Sequence, residues 1–464
     1  MNKLMVYSAL AIGLMAEEAF FVPICAQERV VQVMSLTTLY NLADQQSQQV
    51  RVSETALRAA DEGVAAARSA LLPSVDLSLQ GSYTGNAFML SRGFSTHGTT
   101  DYIVPGVGVV PVANGKQDTP HWGNSFTAQV AQVVYAGGAI RSGIRMAELG
   151  KEMAELDVEK NRQEVRFLLT GYYLDLCKLE NQIEVVRQNI ALTQKEIEQM
   201  KARREEGTVL QNDITRYELQ LQSLELTLTK LTDATTIINH QLVTTLHLPE
   251  QTVITPDKHE LDTDINALSA IAAQETWQQT AADNNLGIRQ ATVATNLAEQ
   301  KVKQAKAKSL PSVAVVAENQ LYGPYTQDLI PKDCNINVWF VGIGIKYILG
   351  NLWKNKHHIR QARIEQRQSQ EALALAREGV ENGVQANYTN LLTSYTEVKT
   401  QQKQVELALQ NYAVVQNRYQ HELALLTDMV DASNMKLSAE MALVNARIGM
   451  LYNFYKLKYV TNTL

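Results

Sequence analysis

The tetrapeptide Leu72-Pro73-Ser74-Val75 recurs unchanged as Leu310-Pro311-Ser312-Val313, 238 positions later (310 − 72). The same offset holds upstream without a gap: Ala43 faces Ala281, Val50 faces Ile288, Arg51 faces Arg289, Ala60 faces Ala298 and Val64 faces Val302. A register kept over that length marks an internal duplication, and a duplicated chain is read by its repeat before its domains are counted. In each copy a helical pattern rich in Ala, Gln and Lys runs into the proline, which ends helices, and then turns to period-two alternation. Each copy therefore reads helix, strand, loop, strand, helix.

The 464 residues are thus two copies of one unit rather than unrelated domains. The first repeat spans residues 27–250, a polar connector with two prolines covers 251–266, and the second repeat spans 267–464. Residues 36–71 form a helix with a narrow apolar stripe. After Pro73, Val75, Leu77, Leu79 and Tyr83 alternate with Asp76, Ser78, Gln80 and Ser82, the pattern of a strand with one apolar face. Residues 84–124, rich in Gly and Thr, predict a long loop with a short hairpin near 104–112, and a second strand follows at 125–135, so the first strand pair lies within 74–136. In the second repeat the pair lies within 312–348. There Trp339, Val341, Ile343, Ile345 and Tyr347 oppose Asn337, Gly342, Gly344 and Lys346, and the loop is shorter.

Gly137-Gly138 opens a helical segment reaching about Glu206, roughly 100 Å at 1.5 Å per residue. Val165, Leu169, Tyr172, Leu176, Leu179, Ile183, Val186, Ile190, Ile197 and Met200 step by three and four with one vacancy at Thr193. That is a heptad seam, and its period predicts left-handed supercoiling. Gly207 breaks the helix, and Ile214, Tyr217, Leu221, Leu224, Leu228, Leu231, Ile238 and Leu242 restore the spacing on a returning helix, so the pair is an antiparallel coiled-coil hairpin with its tip at 206–212. The second copy repeats this plan with Tyr388, Leu391, Tyr395, Val398, Val405, Leu409, Tyr412 and Tyr419, a tip at 422–427 and a return helix ending near Tyr459.

Lys3 precedes an apolar run from Met5 to Ala16, and Ile24-Cys25-Ala26-Gln27 supplies a cleavage site after Ala26, so residues 1–26 read as a secretory signal peptide. The run is too short to span a bilayer. Cys25 stands where a lipid-bearing cysteine would, but Ile24 replaces the small residue such sites carry. In the mature chain Cys177 falls on a helix and Cys334 in a loop of the other repeat, which predicts free thiols rather than a disulfide framework. Net charge is −6 with 19% charged residues, and no clustered basic face suggests nucleic acid.

Four strands of about ten residues, each with one apolar face, suit tilted transmembrane β-strands. Tyr83, Trp122, Tyr135, Tyr322, Trp339, Tyr347 and Trp353 lie near their ends as interfacial girdles. Four strands cannot close a barrel, and open edges are excluded from lipid, so several chains must pool strands. Two chains give 8 and three give 12, and the sequence by itself leaves both open.

The duplicated plan, the Leu-Pro-Ser-Val junctions, the Tyr135-Ala136-Gly137-Gly138 turn, and Arg418-Tyr419 followed by Leu425, Asp428 and Asp431-Ala432 resemble the TolC family of outer-membrane efflux channels. The resemblance covers nearly the whole mature chain. It implies an α+β membrane protein: a homotrimer with a 12-stranded β-barrel in the outer membrane of a Gram-negative bacterium, continued by a long antiparallel coiled-coil α-barrel across the periplasm. It also implies a periplasmic adaptor protein and an inner-membrane transporter as partners, with no cofactor. Carried over residue by residue, it places Asp428 and Asp431 at the constricted periplasmic entrance, and Asp213 and Tyr419 in hydrogen bonds between hairpins that hold it shut. Gly207, Thr208, Leu210, Glu422, Leu423 and Leu425 fall at the tips that meet the adaptor, and Tyr83, Tyr135, Trp339 and Tyr347 in the membrane girdle. Two departures bear on the second tip: Ala424 replaces a basic residue some members use, and Glu422 stands where the first repeat has Gly207.

Rings of carboxylates made by threefold symmetry would favour cations, while two Asp three apart at a helix start also favour the helix dipole. His240, His247, His259, His357 and His358 show no ligand spacing, and no nucleophile elbow or phosphate cradle occurs, so an enzyme is not expected. The rival reading from another class is a periplasmic coiled-coil scaffold or adaptor with a small β domain, which would not carry duplicated strand pairs.

Overall fold

The computed structural model describes residues 30–85, 87–89, 99–104, 108–113, 115–117, 120–207, 209–257, 272–325, 333–421 and 423–464. The signal segment 1–26, residues 258–266 of the connector, His259, Thr208 and Glu422 lie outside the described residues.

Each repeat begins with two helices rather than one. In the first, α1 (Leu36–Gln46) and α2 (Gln48–Ser69) are separated at Ser47, whose backbone is extended. In the second, α5 (Gln274–Asn284) and α6 (Leu286–Ala307) are separated at Asn285, whose Oδ1 accepts from the N–H groups of Gly287 and Ile288 and so starts a new helix. The apolar stripe runs across both breaks, which is why periodicity alone read one helix.

The strands after the two prolines are β2 (Ser74–Tyr83) and β9 (Ser312–Gly323), and their partners are β7 (Trp122–Ala136) and β10 (Ile336–Lys346). They form one antiparallel sheet in the order β10-β9-β7-β2. Register places Val75, Leu77 and Leu79 against Val130, Ala128 and Phe126, and these in turn against Ala317, Asn319 and Leu321, so one face is apolar across the sheet apart from Gln132 and Asn319. The opposite face carries Asp76, Gln129 and Glu318 in one row. Within one protomer the apolar face is bare: Leu79 is 81% exposed.

In β7 the register shifts by one residue between Val133 and Tyr135. Val133 pairs with Ala314 and Tyr135 with Val313, so the bulge turns Tyr135 onto the apolar face that unbroken alternation would deny it. Tyr322 is a correction to the girdle expected from the sequence, because it pairs with Ser125 and Ile336 and lies on the other face.

Two further corrections concern stretches read as irregular. Residues 84–124 carry two ladders, Ala87–Met89 with Gly115–Gln117 and Thr99–Val104 with Gly108–Ala113, the second containing the hairpin expected near 104–112. The connector also contains a strand, Thr252–Pro256, which pairs in parallel with Val30–Met34.

The long helices are α3 (Ala139–Glu205), α4 (Gln211–Thr245), α8 (Lys356–Gln420, preceded by the single turn α7, Asn351–Lys354) and α9 (Leu426–Val460). Nearest the sheet the helices lie side by side in the order α2, α3, α6, α8, and farther away in the order α4, α3, α9, α8. Four elements cross every level, and α3 and α8 run through both helical tiers. Where the tiers meet, the main core gathers Leu39, Leu169, Tyr173, Leu242, Leu391 and Leu451 from five helices. Of the seam residues read from the sequence, Leu409 is 42% exposed. No helix among the described residues is long and apolar enough to cross a membrane.

Candidate functional site at the hairpin tips and the sheet

The first tip forms because Gly207 adopts φ +81, a left-handed conformation that costs other residues energy, and its N–H closes on the carbonyl of Arg204 at 2.9 Å. The chain then extends through Leu210, the N-cap of α4, and Asp213 enters the first helical turn. At the second tip, the Leu423 N–H donates to the Arg418 carbonyl at 2.8 Å and the Arg418 guanidinium returns a bond to the Leu423 carbonyl at 3.2 Å. Leu425, also extended, caps α9, and its N–H donates to Oδ2 of Asp428 at 3.1 Å. A leucine side chain has no acceptor, so this is the carboxylate half of a capping box.

Leu210 and Leu425, and Asp213 and Asp428, are therefore equivalent positions of the two repeats, each pair 215 apart (425 − 210, 428 − 213). The family resemblance implies different roles for the two aspartates, yet both sit at the third position of a return helix, where a carboxylate suits the helix dipole. Asp431 is one turn beyond Asp428 on the same exposed side of α9, and borders a groove with Gln401, Gln404, Asn411 and Asn434. Leu210, Leu423 and Leu425 are exposed at the ends of the hairpins.

Behind the tips the two hairpins share a small core of Ile197, Met200, Ile214, Tyr217, Tyr412, Leu426, Met429 and Ala432. Into it projects Glu196, only 7% exposed, whose Oε1 accepts from Nε2 of Gln416 at 2.8 Å. Three tyrosines surround this carboxylate. Burial pushes the phenols of Tyr217 and Tyr412 well above their ordinary value, and Glu196 adds to both shifts. Burial also raises that of Tyr419, reinforced by Asp213 and opposed by Arg203; among the described residues no hydrogen bond joins Asp213 to Tyr419 within the protomer.

Further bonds join the hairpins. Gln182 donates to Asn445 at 2.7 Å, Asn189 to Glu440 at 3.1 Å and Gln220 to Asn434 at 2.6 Å. The α3 members were missed from sequence, although Asp175, Gln182, Asn189, Glu196 and Arg203 recur every seven residues beside the apolar seam. A polar heptad position in a coiled coil fixes register at a cost in stability. Thr193, the vacancy in the seam, is buried and donates to the Asn189 carbonyl at 2.8 Å. Among the described residues, no group of three or more His, Cys, Asp or Glu is arranged to hold a metal ion.

At the opposite end, Tyr83 meets Trp122 edge to face at 5.1 Å, and Trp339 projects from β10 on the same face. Tyr135 and Tyr347 stand at the helix-proximal end, and Tyr83, Tyr135, Trp339 and Tyr347 are all exposed. The eight steps from Val75 to Tyr83 span about 26 Å, the height of an outer-membrane apolar band.

A sheet apolar on its outer face and open at both edges, set on hairpins too long for any globular core, defines a wall protein of a membrane channel. The sequence profile of the Outer membrane efflux protein family matches residues 39–246 and 277–462, and the chain belongs to that family. It is an outer-membrane channel protein of efflux and secretion systems, with a periplasmic extension. It is 21% identical to the outer membrane protein TolC of Salmonella enteritidis over 449 residues, 93% of this chain and 83% of that protein. The crystal structure of the outer membrane protein VceC from Vibrio cholerae is similar with a TM-score of 0.69 at 17% identity, covering 92% of this chain and 95% of that one. The open state of the MtrE outer membrane channel of Neisseria gonorrhoeae gives 0.67 at 15%, covering 92% and 88%.

Proposed function

We propose that three copies pool their strands into a 12-stranded barrel in the outer membrane, continued by a 12-helix tube, and that the hairpin tips form its regulated entrance. The observation that carries this reading is the four-stranded sheet whose edge strands β2 and β10 have, among the described residues, no partner on their outer sides. Open edges are not tolerated in lipid, so each β10 must pair with the β2 of a neighbour. Because four elements cross the sheet and both helical tiers, one rotational symmetry closes all three levels. The family resemblance favours threefold closure over twofold.

In this assembly Asp428 and Asp431 repeat around the entrance and attract cations. Glu196–Gln416, with Asp213 and Tyr419 close by, ties the hairpins in the closed arrangement. The exposed leucines Leu210, Leu423 and Leu425 offer apolar contacts to a periplasmic adaptor, through which an inner-membrane transporter supplies the energy. Thr208 and Glu422 fall beside those leucines in sequence. Transport through the tube itself is passive.

The test is membrane fractionation followed by planar-bilayer recording of the detergent-extracted protein. Outer-membrane location, a heat-resistant trimer and a small cation-selective conductance are expected. A protein soluble without detergent that conducts nothing would overturn the reading in favour of a periplasmic scaffold.

A further inference from the structure

The second repeat leaves the membrane sheet through a junction with an unusual charge balance. No Asp or Glu occurs between residues 300 and 317 or between 334 and 364, although the chain carries a net −6. Lys306 and Lys308 lie at the end of α6, and Lys354, Lys356, Arg360 and Arg363 at the start of the long second-repeat helix. All six are exposed, and among the described residues none has an ion-pair partner within the protomer. The corresponding junction of the first repeat differs, because Arg68 and Arg145 are both engaged by Glu148.

The two basic segments are held together by built contacts. Asn351 Nδ2 donates to the carbonyl of Lys308 at 2.8 Å, and the buried Asn355 donates to the carbonyl of Ala305 at 2.6 Å and to Ser309 Oγ at 2.8 Å. These bonds bring the end of α6 against α7. Directly beside them Ile348, Leu349, Leu352 and Trp353 are exposed, with Trp353 at 63%, just past the girdle residue Tyr347. An exposed tryptophan among aliphatic residues and followed by lysines has the composition of a membrane–water interface anchor.

We propose that this junction binds the anionic headgroups of phospholipids in the periplasmic leaflet of the outer membrane, with Leu352 and Trp353 seated at the interface and the lysines on the phosphates. The inference rests on reading the sheet as the membrane-spanning element. Clusters of four to eight basic side chains next to a membrane segment select anionic lipid. The attraction fades over about 8 Å at physiological salt. Arg363 lies roughly 13 Å beyond Lys354 along the helix, so the four lysines carry most of the selectivity.

The experiment uses full-length protein with Trp122→Phe/Trp277→Phe/Trp339→Phe, which leaves Trp353 as the single tryptophan. It is reconstituted in phosphatidylcholine vesicles containing brominated phosphatidylglycerol or brominated phosphatidylcholine as quencher. Trp353 fluorescence is expected to report binding at least about threefold tighter for the anionic lipid, a preference lost at high salt and in Lys306→Gln/Lys308→Gln/Lys354→Gln/Lys356→Gln. Equal quenching by the two lipids overturns the proposal. A companion variant keeping only Trp339 separates the two ideas. If Trp339 is quenched and Trp353 is not, the membrane reading stands and the headgroup site fails; if neither is quenched, the membrane reading itself fails.

Discussion

Gln416 on α8 donates to the buried carboxylate of Glu196 on α3 at 2.8 Å, joining the two coiled-coil hairpins one helical segment behind their tips. The pair is asymmetric in its cost. Gln416→Ala leaves a buried carboxylate without its donor, about 1.5–3 kcal/mol for a charged hydrogen bond, whereas Glu196→Gln keeps an acceptor and removes the charge. Gln416→Ala is therefore expected to lower the thermal midpoint of the purified protein and raise its single-channel conductance, with Glu196→Gln close to wild type in both. An unchanged conductance in Gln416→Ala would remove this bond from the closing of the entrance.

Asp428 and Asp431 share one exposed side of α9 but not one task. Asp428 caps the helix through the Leu425 N–H, so Asp428→Asn should cost about 0.5–1 kcal/mol of stability. Asp431 borders the groove and does not cap the helix, so Asp431→Asn should leave stability unchanged and reduce the cation over anion permeability ratio taken from reversal potentials more than Asp428→Asn does. Equal loss of selectivity in the two single variants would mean that capping does not occupy the Asp428 carboxylate.

The tyrosines around Glu196 set an alkaline limit. Tyr217 and Tyr412 are raised above the ordinary phenol value of 10.0, chiefly by burial. The folded bundle thus holds protons that the unfolded chain releases, and its stability is full below pH 10 and falls as pH rises further. The thermal midpoint is expected to drop more steeply above pH 10 in the wild type than in Tyr217→Phe/Tyr412→Phe. Tyr217→Phe also removes a buried hydroxyl with no hydrogen-bond partner among the described residues, and should gain about 1 kcal/mol at neutral pH. A midpoint with the same alkaline slope in both proteins would place the titrating groups elsewhere.

Much of this architecture was legible because it depends on period. The duplication, the four strands of the sheet and the two hairpins follow from alternation and heptads, and Gly207 marks the first tip. What escaped depends on partners distant in sequence. Ser47 interrupts a helix whose apolar stripe continues unbroken. The strand Thr252–Pro256 exists because Val30–Met34 lies beside it, some 220 residues earlier (252 − 30 = 222). Tyr135 reaches the apolar face only through a bulge that alternation cannot reveal. The polar ladder of α3 stands in the sequence as Gln182, Asn189 and Glu196 at seven-residue steps, but a stronger apolar seam runs beside it, and its partners Asn445, Glu440 and Gln416 have no periodic signal of their own.

The turn from β7 into α3 offers the sharpest steric test of how the repeats lock together. Gly137 and Gly138 both have left-handed backbones, with φ of +63 and +87. A Cβ on Gly138 would meet nothing within 4 Å, so Gly138→Ala costs only the conformational penalty of about 1–2 kcal/mol. A Cβ on Gly137 would lie 2.7 Å from Cβ of Leu310 and 2.8 Å from the Ala307 carbonyl, pressing on the Leu-Pro-Ser-Val junction of the other repeat. Gly137→Ala should therefore lower the thermal midpoint well beyond Gly138→Ala. Trimming the opposing side chain should not rescue it, because Leu310→Ala keeps the Cβ and leaves the Ala307 carbonyl in place. Equal midpoints for the two glycine variants would show that the junction yields, and that β7 and the second repeat are not packed backbone against backbone.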